Sequence, residues 1–256
     1  MKIPFTKAHG AHNDFLLTWQ HDVPSNVDLT AIAVAICDRH TGIGADGWLV
    51  VSGNAIRLWN SDGSVSEMSG NGTRCAAAFL MEAGHASEEI VITTGAGPKH
   101  LRLLDRRGHA FSFEMNMGRA RIAELHARVQ DHDAVILNVG NPQCAVIMDS
   151  LDFDWRTLGA SIECDPRFPH RINVSFVKRL DSHTIDVRFF ERGAGETMSS
   201  GTGSTGAAAA AVARGLVQSP VEVRTPAGPL KLRWEGGDIV LAGPAEIVAA
   251  GEFYMP

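Results

Sequence analysis

Short runs of apolar residues, bounded by Gly, Pro, Asn and Asp, recur along the whole chain and are typical of β-strands. In the first half the predicted strands cover residues 15–19, 48–51, 55–59, 90–94, 100–104 and 111–115. In the second half they cover residues 134–139, 145–148, 172–177, 184–190, 221–225, 230–234 and 238–241. Because most connections between these runs are short, we expect each half to be a mainly antiparallel sheet.

Four other segments predict helices. One covers residues 31–36, with Asn26 or Asp28 as its cap, and another covers residues 155–163. A third covers residues 73–83 and ends at Gly84, a residue suited to a left-handed C-terminal cap. The fourth covers about residues 204–214 and is rich in alanine. Small residues permit close approach, so this helix is expected to pack deep inside a sheet.

The third and fourth helices lie in a sequence that occurs twice. Residues 69–84 and 200–215 are identical at seven of sixteen positions, including Ser69/Ser200 and two of the glycines that follow each serine. Each copy predicts a Gly-rich turn that opens a helix. We therefore predict an α/β (α+β) protein with two pseudo-symmetric domains, each a mainly antiparallel sheet wrapped on a central helix. The domains would cover residues 1–118 and 119–245.

A Ser-Gly-x-Gly turn before a helix has the chemistry of an anion site. The first N–H groups of a helix lack intrahelical acceptors, and the helix dipole is positive at that end. Two such turns facing each other would bind one carboxylate. In the simpler interpretation, Ser69 and Ser200 only cap their helices. The duplication favours paired use, and a nucleotide P-loop is excluded because no Gly-Lys-Ser/Thr ending follows.

The composition narrows the class of protein. A chain with 45% hydrophobic and 20% charged residues is typical of a soluble globular protein, and no apolar run is long enough to span a bilayer. The N-terminal residues show no signal-peptide core, so a cytoplasmic location is expected. A net charge of −6 argues against nucleic acid as a partner.

The cysteines and histidines do not indicate a metal. None of the four cysteines forms a Cys-x-x-Cys pair, so reduced and mostly buried thiols are expected. His9 and His12 are close in sequence, but no acidic ligand pattern accompanies them.

Polar residues flank both copies of the turn. Asn60, Asn141 and Asn173 each fit ordinary turn chemistry. Arg192 is different, because an arginine in a Gly-rich loop beside a helix start suits a two-pronged contact with a carboxylate.

Taken together, these motifs resemble those of the diaminopimelate epimerase family, which belongs to the cofactor-independent amino-acid racemases. The resemblance covers essentially the whole chain. It rests on His9-Gly-Ala-His-Asn-Asp-Phe15, Asp38-Arg-His-Thr-Gly-Ile-Gly-Ala-Asp-Gly47, Asn60-Ser-Asp-Gly-Ser64, Gly70-Asn-Gly-Thr-Arg-Cys75, Gly140-Asn-Pro142 and Glu191-Arg-Gly-Ala-Gly-Glu-Thr197. It implies two similar α/β halves with a cleft between them, a homodimer, and neither pyridoxal phosphate nor a metal. It also implies that a C-terminal strand, residues 246–256, returns to the first domain.

The resemblance also implies roles for particular residues. Glu191 matches a glutamate near the reacting carbon, and Arg192 matches the residue that binds the distal carboxylate. The amides around Gly70, Asn71, Gly201 and Thr202 would hold the carboxylate of the reacting carbon. The remaining matches to substrate-binding positions are Asn13, Asn60, Asn141 and Asn173.

Three positions depart from the family pattern. Ser69 and Ser200 stand where the family has its two catalytic cysteines, and Gln143 stands where it usually has a histidine. A thiol has an ordinary pKa of about 8.5, which a helix N-terminus lowers, whereas a serine hydroxyl is almost never ionised without an adjacent base. Glu191 and Glu196 are the candidates for that base.

Three explanations are compatible with these departures. The chain is an epimerase in which both cysteines have been replaced, although this leaves Gln143 unexplained. Alternatively, it is a natural relative that isomerises this or another small carboxylate with other acid–base groups. Or it is a catalytically inactive homologue that binds an amino acid. The first-ranked hypothesis is an epimerase-like isomerase that acts by two-base proton transfer at the α-carbon of LL- or meso-diaminopimelate.

Overall fold

The computed structural model describes residues 2–255, and the chain forms two compact units. Unit 1 comprises the chain up to Met115 together with the segment from Gly243 onward, and unit 2 comprises Asn116–Ala242. The sequence placed these boundaries slightly later, near residues 118 and 245. The chain crosses each boundary inside a continuous strand, Ala110–Gly118 or Asp238–Tyr254, so no linker sequence marks the crossing.

In the described part of the chain, the elements follow one another in nearly the same order in both units, except that the second series begins with one additional strand, β9, and only the first contains a 3-10 turn. The first series is β1 (Lys2–Gly10), β2 (Asn13–Trp19), a 3-10 turn (Gln20–Asp22), α1 (Leu29–Cys37), β3 (Gly47–Ser52), β4 (Ala55–Asn60), β5 (Val65–Ser66), α2 (Gly70–Glu82), β6 (Glu89–Thr94), β7 (Gly97–Arg107) and β8 (Ala110–Gly118). The second is β9 (Arg121–Val129), β10 (His132–Asn138), β11 (Pro142–Ile147), α3 (Trp155–Glu163), β12 (Asn173–Arg179), β13 (Thr184–Glu191), β14 (Gly195–Thr197), α4 (Gly201–Ala213), β15 (Val221–Thr225), β16 (Gly228–Glu235) and β17 (Asp238–Tyr254).

The strand pairings repeat as well. In unit 1, β1–β2, β3–β4, β6–β7 and β7–β8 are antiparallel, whereas β2–β3 and β4–β6 are parallel and are connected through α1 and α2. In unit 2, β10–β11, β12–β13, β15–β16 and β16–β17 are antiparallel, whereas β11–β12 and β13–β15 are parallel across α3 and α4. The predicted fold class, with two similar and mainly antiparallel α+β halves, is confirmed.

The segment after unit 2 completes unit 1. β17 pairs antiparallel with β1, from Lys2↔Tyr254 to His9↔Glu246, and it also pairs with β8. The strands β1, β2, β3, β4, β6, β7, β8 and β17 therefore form a closed eight-stranded barrel. Closure leaves no free edge in this ring of strands.

Helices α2 and α4 are buried almost along their whole length. All residues of α2 except the last, and all of α4 except the last two, are buried. Each packs on strands of its own unit, α2 on β1 and β2 and α4 on β11 and β12. Both begin three residues before the predicted starts, because the Ser-Gly-x-Gly glycines form the first helical turn rather than a preceding turn.

Gly203 is required for close packing rather than for its backbone angle. A Cβ at this position would lie 2.8 Å from the Phe189 ring and 2.9 Å from Ser200 Oγ. At Gly72, the equivalent position of the first repeat, the nearest atom to a Cβ would be 3.2 Å away.

We expect Gly203→Ala to lower the free energy of unfolding by about 1–3 kcal/mol, a typical cost of overpacking. Gly72→Ala is expected to be nearly neutral, because a mild contact is offset by the better helix propensity of alanine, about 1 kcal/mol. Denaturant titration followed by circular dichroism measures both. Equal losses in the two variants would contradict the packing argument.

Within residues 2–255, no helix is long and apolar enough to cross a membrane.

Candidate functional site

Each repeated serine caps a buried helix. Ser69 accepts a hydrogen bond from the Gly72 amide at 3.0 Å, and Ser200 accepts one from the Gly203 amide at 3.0 Å. Gly70 and Asn71 occupy the first two positions of α2, and Gly201 and Thr202 occupy those of α4. N–H groups at these positions have no intrahelical acceptor, and the dipole favours an anion beside them. Capping therefore coexists with the anion-binding chemistry that the sequence predicts.

In unit 2, a carboxylate holds the capping serine. The Ser200 hydroxyl donates to Glu191 Oε1 at 2.6 Å, and Thr197 donates to Glu191 Oε2 at 2.8 Å. Glu191 ends β13 and Thr197 ends β14, so the β13–β14 hairpin sets the distance between them. Ser200 is 4% exposed, and in such surroundings a charge-assisted hydrogen bond is stronger than in water.

The other candidate base is used differently. Glu196 forms two hydrogen bonds with the Arg156 guanidinium, at 2.5 and 2.8 Å, and both side chains are substantially exposed. Of the two glutamates that the sequence left open, Glu191 is the one bonded to Ser200.

Unit 1 has an amide where unit 2 has this carboxylate. Asn60 ends β4 as Glu191 ends β13, and both precede their capping serines by nine residues. The Asn60 side chain donates to Ser64 Oγ at 2.9 Å, inside its own turn. The two halves therefore share a backbone plan but differ in charge at this position.

Two predicted asparagines meet in unit 1. Asn71 donates to Asn13 Oδ1 at 3.2 Å, and Asn13 donates to Asp46 Oδ2 at 2.7 Å. Asp46 is also held by Arg39, and its main-chain oxygen accepts from the Ser61 amide at 3.1 Å, which ties the Asn60 turn to the same region. The sequence did not single out Asp46, since its Gly-Ala-Asp-Gly setting is also typical of a turn.

A second polar group lies at the start of α4. Gln143 donates to Asn141 Oδ1 at 2.8 Å, and Asn141 donates to Thr202 Oγ1 at 3.3 Å. Gln143 is 1% exposed, and a Cβ on Gly206 would lie 3.1 Å from its Cγ, so the glycine makes room for this side chain. Gln143 therefore orients Asn141.

The loop that carries Arg192 is fastened by its backbone. Asn173 Oδ1 accepts from the Arg192 amide at 3.1 Å, and Asn173 Nδ2 donates to the Pro142 carbonyl at 2.9 Å. Glu163, which is 2% exposed, accepts from the Gly193 amide at 3.1 Å and is paired with Arg171. Arg192, Asn173 and Glu191 are thus brought together at the same end of β12 and β13. Neither Glu163 nor Thr197 was assigned a role from the sequence, although Thr197 ends the Glu191–Thr197 motif on which the resemblance rests.

The buried thiols are not suited to act as bases. Cys37, Cys75 and Cys144 are buried, and burial raises the pKa of each thiol to about 12. Cys164 is exposed and donates to Glu163 at 3.2 Å. Cys75 lies in the repeated segment itself, yet its thiol stays protonated at neutral pH and cannot serve there as a base.

We expect one thiol per chain, Cys164, to react rapidly with a disulfide reagent in the native protein. All four should react after denaturation. Counting released chromophore before and after denaturant measures this, and Cys164→Ser is the control that should abolish the fast phase. Rapid labelling of two or more thiols in the native state would contradict the burial described here.

Among residues 2–255, no group of three or more His, Cys, Asp or Glu side chains is arranged to hold a metal ion.

Comparison with known proteins identifies the family. A family model described as diaminopimelate epimerase matches residues 5–123 and 135–248. The chain is 36% identical to diaminopimelate epimerase of Pelotomaculum thermopropionicum, over 97% of this chain and 98% of the relative. It is 37% identical to that of an Azoarcus species, over the full length of both.

Solved structures share the fold at low sequence identity. A phenazine biosynthesis protein of the PhzF family from Bacillus anthracis has a TM-score of 0.75 and 14% identity, over all of both chains. A hydroxyproline epimerase from Agrobacterium vitis has a TM-score of 0.73 and 15% identity, over 98% of this chain and 92% of that one. These likenesses concern the fold, whereas the sequence matches decide the family. The chain belongs to the diaminopimelate epimerase family.

Proposed function

We propose that this protein is an isomerase of the epimerase type, which moves a proton at the α-carbon of an amino acid. The substrate we propose first is LL- or meso-diaminopimelate, an intermediate of lysine biosynthesis. Family membership and the names of the full-length relatives support this reaction class. The arrangement of Ser200 and Glu191 supports the acid–base roles that we propose for this chain.

Glu191 is the proposed proton acceptor, and its 2.6 Å hydrogen bond from Ser200 is the observation that carries the proposal. A carboxyl group has an ordinary pKa of about 4.3 and is ionised at neutral pH, whereas a serine hydroxyl is not. Ser200 donates to Glu191 and accepts from the Gly203 amide, so it is held in one orientation. From there it either relays the proton, taking the one that leaves the α-carbon as it gives its own to the carboxylate, or it keeps the carboxylate in place to take that proton directly.

The helix start and the Arg192 loop would then bind the substrate. The N–H groups of Gly201 and Thr202 suit the carboxylate on the reacting carbon. Asn141, held by Gln143, and Asn173, bonded to the Arg192 amide, suit the rest of the substrate. Arg192 is the proposed partner of a distal carboxylate, which would distinguish diaminopimelate from amino acids with one carboxylate.

Unit 1 would supply the remaining groups. Ser69 is proposed as the second proton-transfer group, and Asn13, Asn60, Gly70 and Asn71 as substrate-binding residues. Since Asn60 stands where unit 2 has Glu191, Ser69 is better suited to donate a proton than to accept one. This asymmetry favours a second candidate function, an isomerisation of another small carboxylate that needs one strong base.

The test is hydrogen exchange at the α-carbon. The protein is incubated with LL-diaminopimelate in D2O, and loss of the Cα–H signal is followed by NMR. Exchange together with formation of the meso isomer supports the proposal. Binding by calorimetry without exchange indicates an inactive homologue, and absence of binding contradicts the substrate. In that last case a panel of small dicarboxylates tests the second candidate in the same assay.

We also propose that the protein is a cytoplasmic homodimer that needs no cofactor and binds neither nucleic acid nor membrane. The family resemblance and the net charge of −6 support this view. Light scattering on the purified chain measures the oligomeric state, and activity after exhaustive dialysis against a chelator tests the need for a metal.

A further inference from the structure

A buried arginine lies at one end of a continuous chain of side-chain hydrogen bonds in unit 1. Arg74 Nη2 donates to Asn71 Oδ1, Asn71 Nδ2 donates to Asn13 Oδ1, and Asn13 Nδ2 donates to Asp46 Oδ2. The chain therefore runs from a cation to an anion through two carboxamides. We propose that Arg74 is a positioning residue, which orients Asn71 and, through it, holds Asn13 as a hydrogen-bond donor toward the substrate.

The direction of these hydrogen bonds follows from the groups at the two ends of the series. A guanidinium can only donate hydrogen bonds, and an ionised carboxylate can only accept them. Each carboxamide between them must therefore turn its oxygen toward Arg74 and its NH2 toward Asp46. Rotating either amide by half a turn would place two donors or two acceptors against each other. The two charged ends thus select one orientation of both amides.

The Arg74 end is buried and anchored to the backbone. The side chain is fully buried, and Nε donates to the Pro244 carbonyl at 3.0 Å, which anchors the guanidinium to the segment that returns to unit 1. Burial lowers the pKa of Arg74 to about 10, so the group still carries its charge at neutral pH. A buried cation without a carboxylate partner is costly unless dipoles stabilise it, and the oxygens of Asn71 and Pro244 are such dipoles.

The Asp46 end is held as firmly. Asp46 Oδ2 also accepts from the Asp14 amide at 3.2 Å, and Asp46 Oδ1 accepts from Arg39 at 2.7 Å. The carboxylate therefore cannot turn away from Asn13 without breaking these contacts. Asn13 has two amide hydrogens and gives one to Asp46, so it keeps a donor that suits a carboxylate of the substrate rather than its ammonium group.

This device occurs in one repeat only. Thr205 occupies the position of Arg74 in the second copy, and its hydroxyl donates to the Gly201 carbonyl at 2.7 Å within α4. An arginine in a fully buried helix, where the paired sequence has a small residue, thus has a task beyond packing. The task that its contacts indicate is the orientation of Asn71 and Asn13.

Side-chain NH2 resonances in a 15N-labelled full-length protein test this directly. Asn13 and Asn71 are assigned with the variants Asn13→Asp and Asn71→Asp. We expect Arg74→Gln to shift the resonances of both asparagines, and Asp46→Asn, made at the other end, also to shift both. Arg102→Gln removes a different unit 1 guanidinium, which pairs with Glu114, and should shift neither.

A shift of Asn71 without a shift of Asn13 in Arg74→Gln would overturn the proposal, since the contacts would then be independent. If Arg74→Gln does not fold, the variant Asp46→Asn decides alone, because this side chain is half-exposed. In that variant, an unshifted Asn71 resonance would contradict the proposed chain of hydrogen bonds. The kinetic readout rests on the proposed function. KM for LL-diaminopimelate should rise about tenfold in Arg74→Gln, with kcat within about twofold. Lack of turnover in the unmodified protein would contradict the proposed function while leaving the NMR test intact.

Discussion

Replacing Glu191 by glutamine is expected to slow Cα–H exchange by about 10²- to 10⁴-fold, the usual contribution of a positioned general base. The amide has nearly the same shape but cannot accept the proton, and it also cannot receive the Ser200 hydrogen bond as a charged partner. The measurement is the initial rate of deuterium incorporation into LL-diaminopimelate by NMR.

The chain itself supplies the matched control for this variant. Glu196→Gln removes a carboxylate from the same hairpin, but this one is paired with Arg156 on the surface. It should leave the exchange rate within about twofold, since exposed ion pairs contribute little. Equal rates in Glu191→Gln and the unmodified protein would rule out Glu191 as the base.

Changing both repeated serines to cysteine is expected to raise the rate of LL- to meso-diaminopimelate conversion at least about 100-fold. A thiol at a helix N-terminus has a lowered pKa, so a useful fraction is thiolate near neutral pH, unlike a hydroxyl. Both sites offer this setting, because Ser69 and Ser200 cap α2 and α4. The rate is followed by a coupled assay or by NMR.

Two further variants show whether such a gain in rate depends on both positions and on the exact place of the thiol. Ser200→Cys alone should gain less than the double variant if both positions transfer protons. Ser204→Cys adds a thiol one turn further along α4, in a fully buried position, and should gain nothing. If the double variant stays inactive while still binding diaminopimelate, the remaining groups are no longer placed for this reaction.

Much of the fold could be predicted because local signals agree with it. Asp28 caps α1 by accepting from the Thr30 amide at 2.9 Å, and Gly84 has φ of +74° at the end of α2, as the sequence predicts. Two long strands were missed for a physical reason. β1 contains Pro4, and β9 is exposed at most positions, so neither shows the alternation of a strand with one buried face.

The candidate site was only partly predictable. The repeat pointed to Ser69 and Ser200, and the resemblance pointed to Glu191. However, sequence alone could not choose between Glu191 and Glu196, which lie on the same hairpin. Arg74 was hidden for a different reason: its partners, Asn71 and Pro244, are one helical turn away and 170 residues away along the chain. A contact between residues as distant in sequence as Arg74 and Pro244 depends on how the polypeptide returns to unit 1.

That return has a consequence for synthesis on the ribosome. Unit 2 is one uninterrupted stretch, whereas the barrel of unit 1 needs the strand that follows it, with Lys2 pairing with Tyr254. Strands β1 and β8 are synthesised before β17. Each therefore keeps one unpaired edge until all of unit 2 has emerged from the ribosome. Pairings so distant in sequence form slowly, and open strand edges are prone to association. The second half should thus complete its folding before the first, and the growing chain should be most vulnerable to aggregation during that interval.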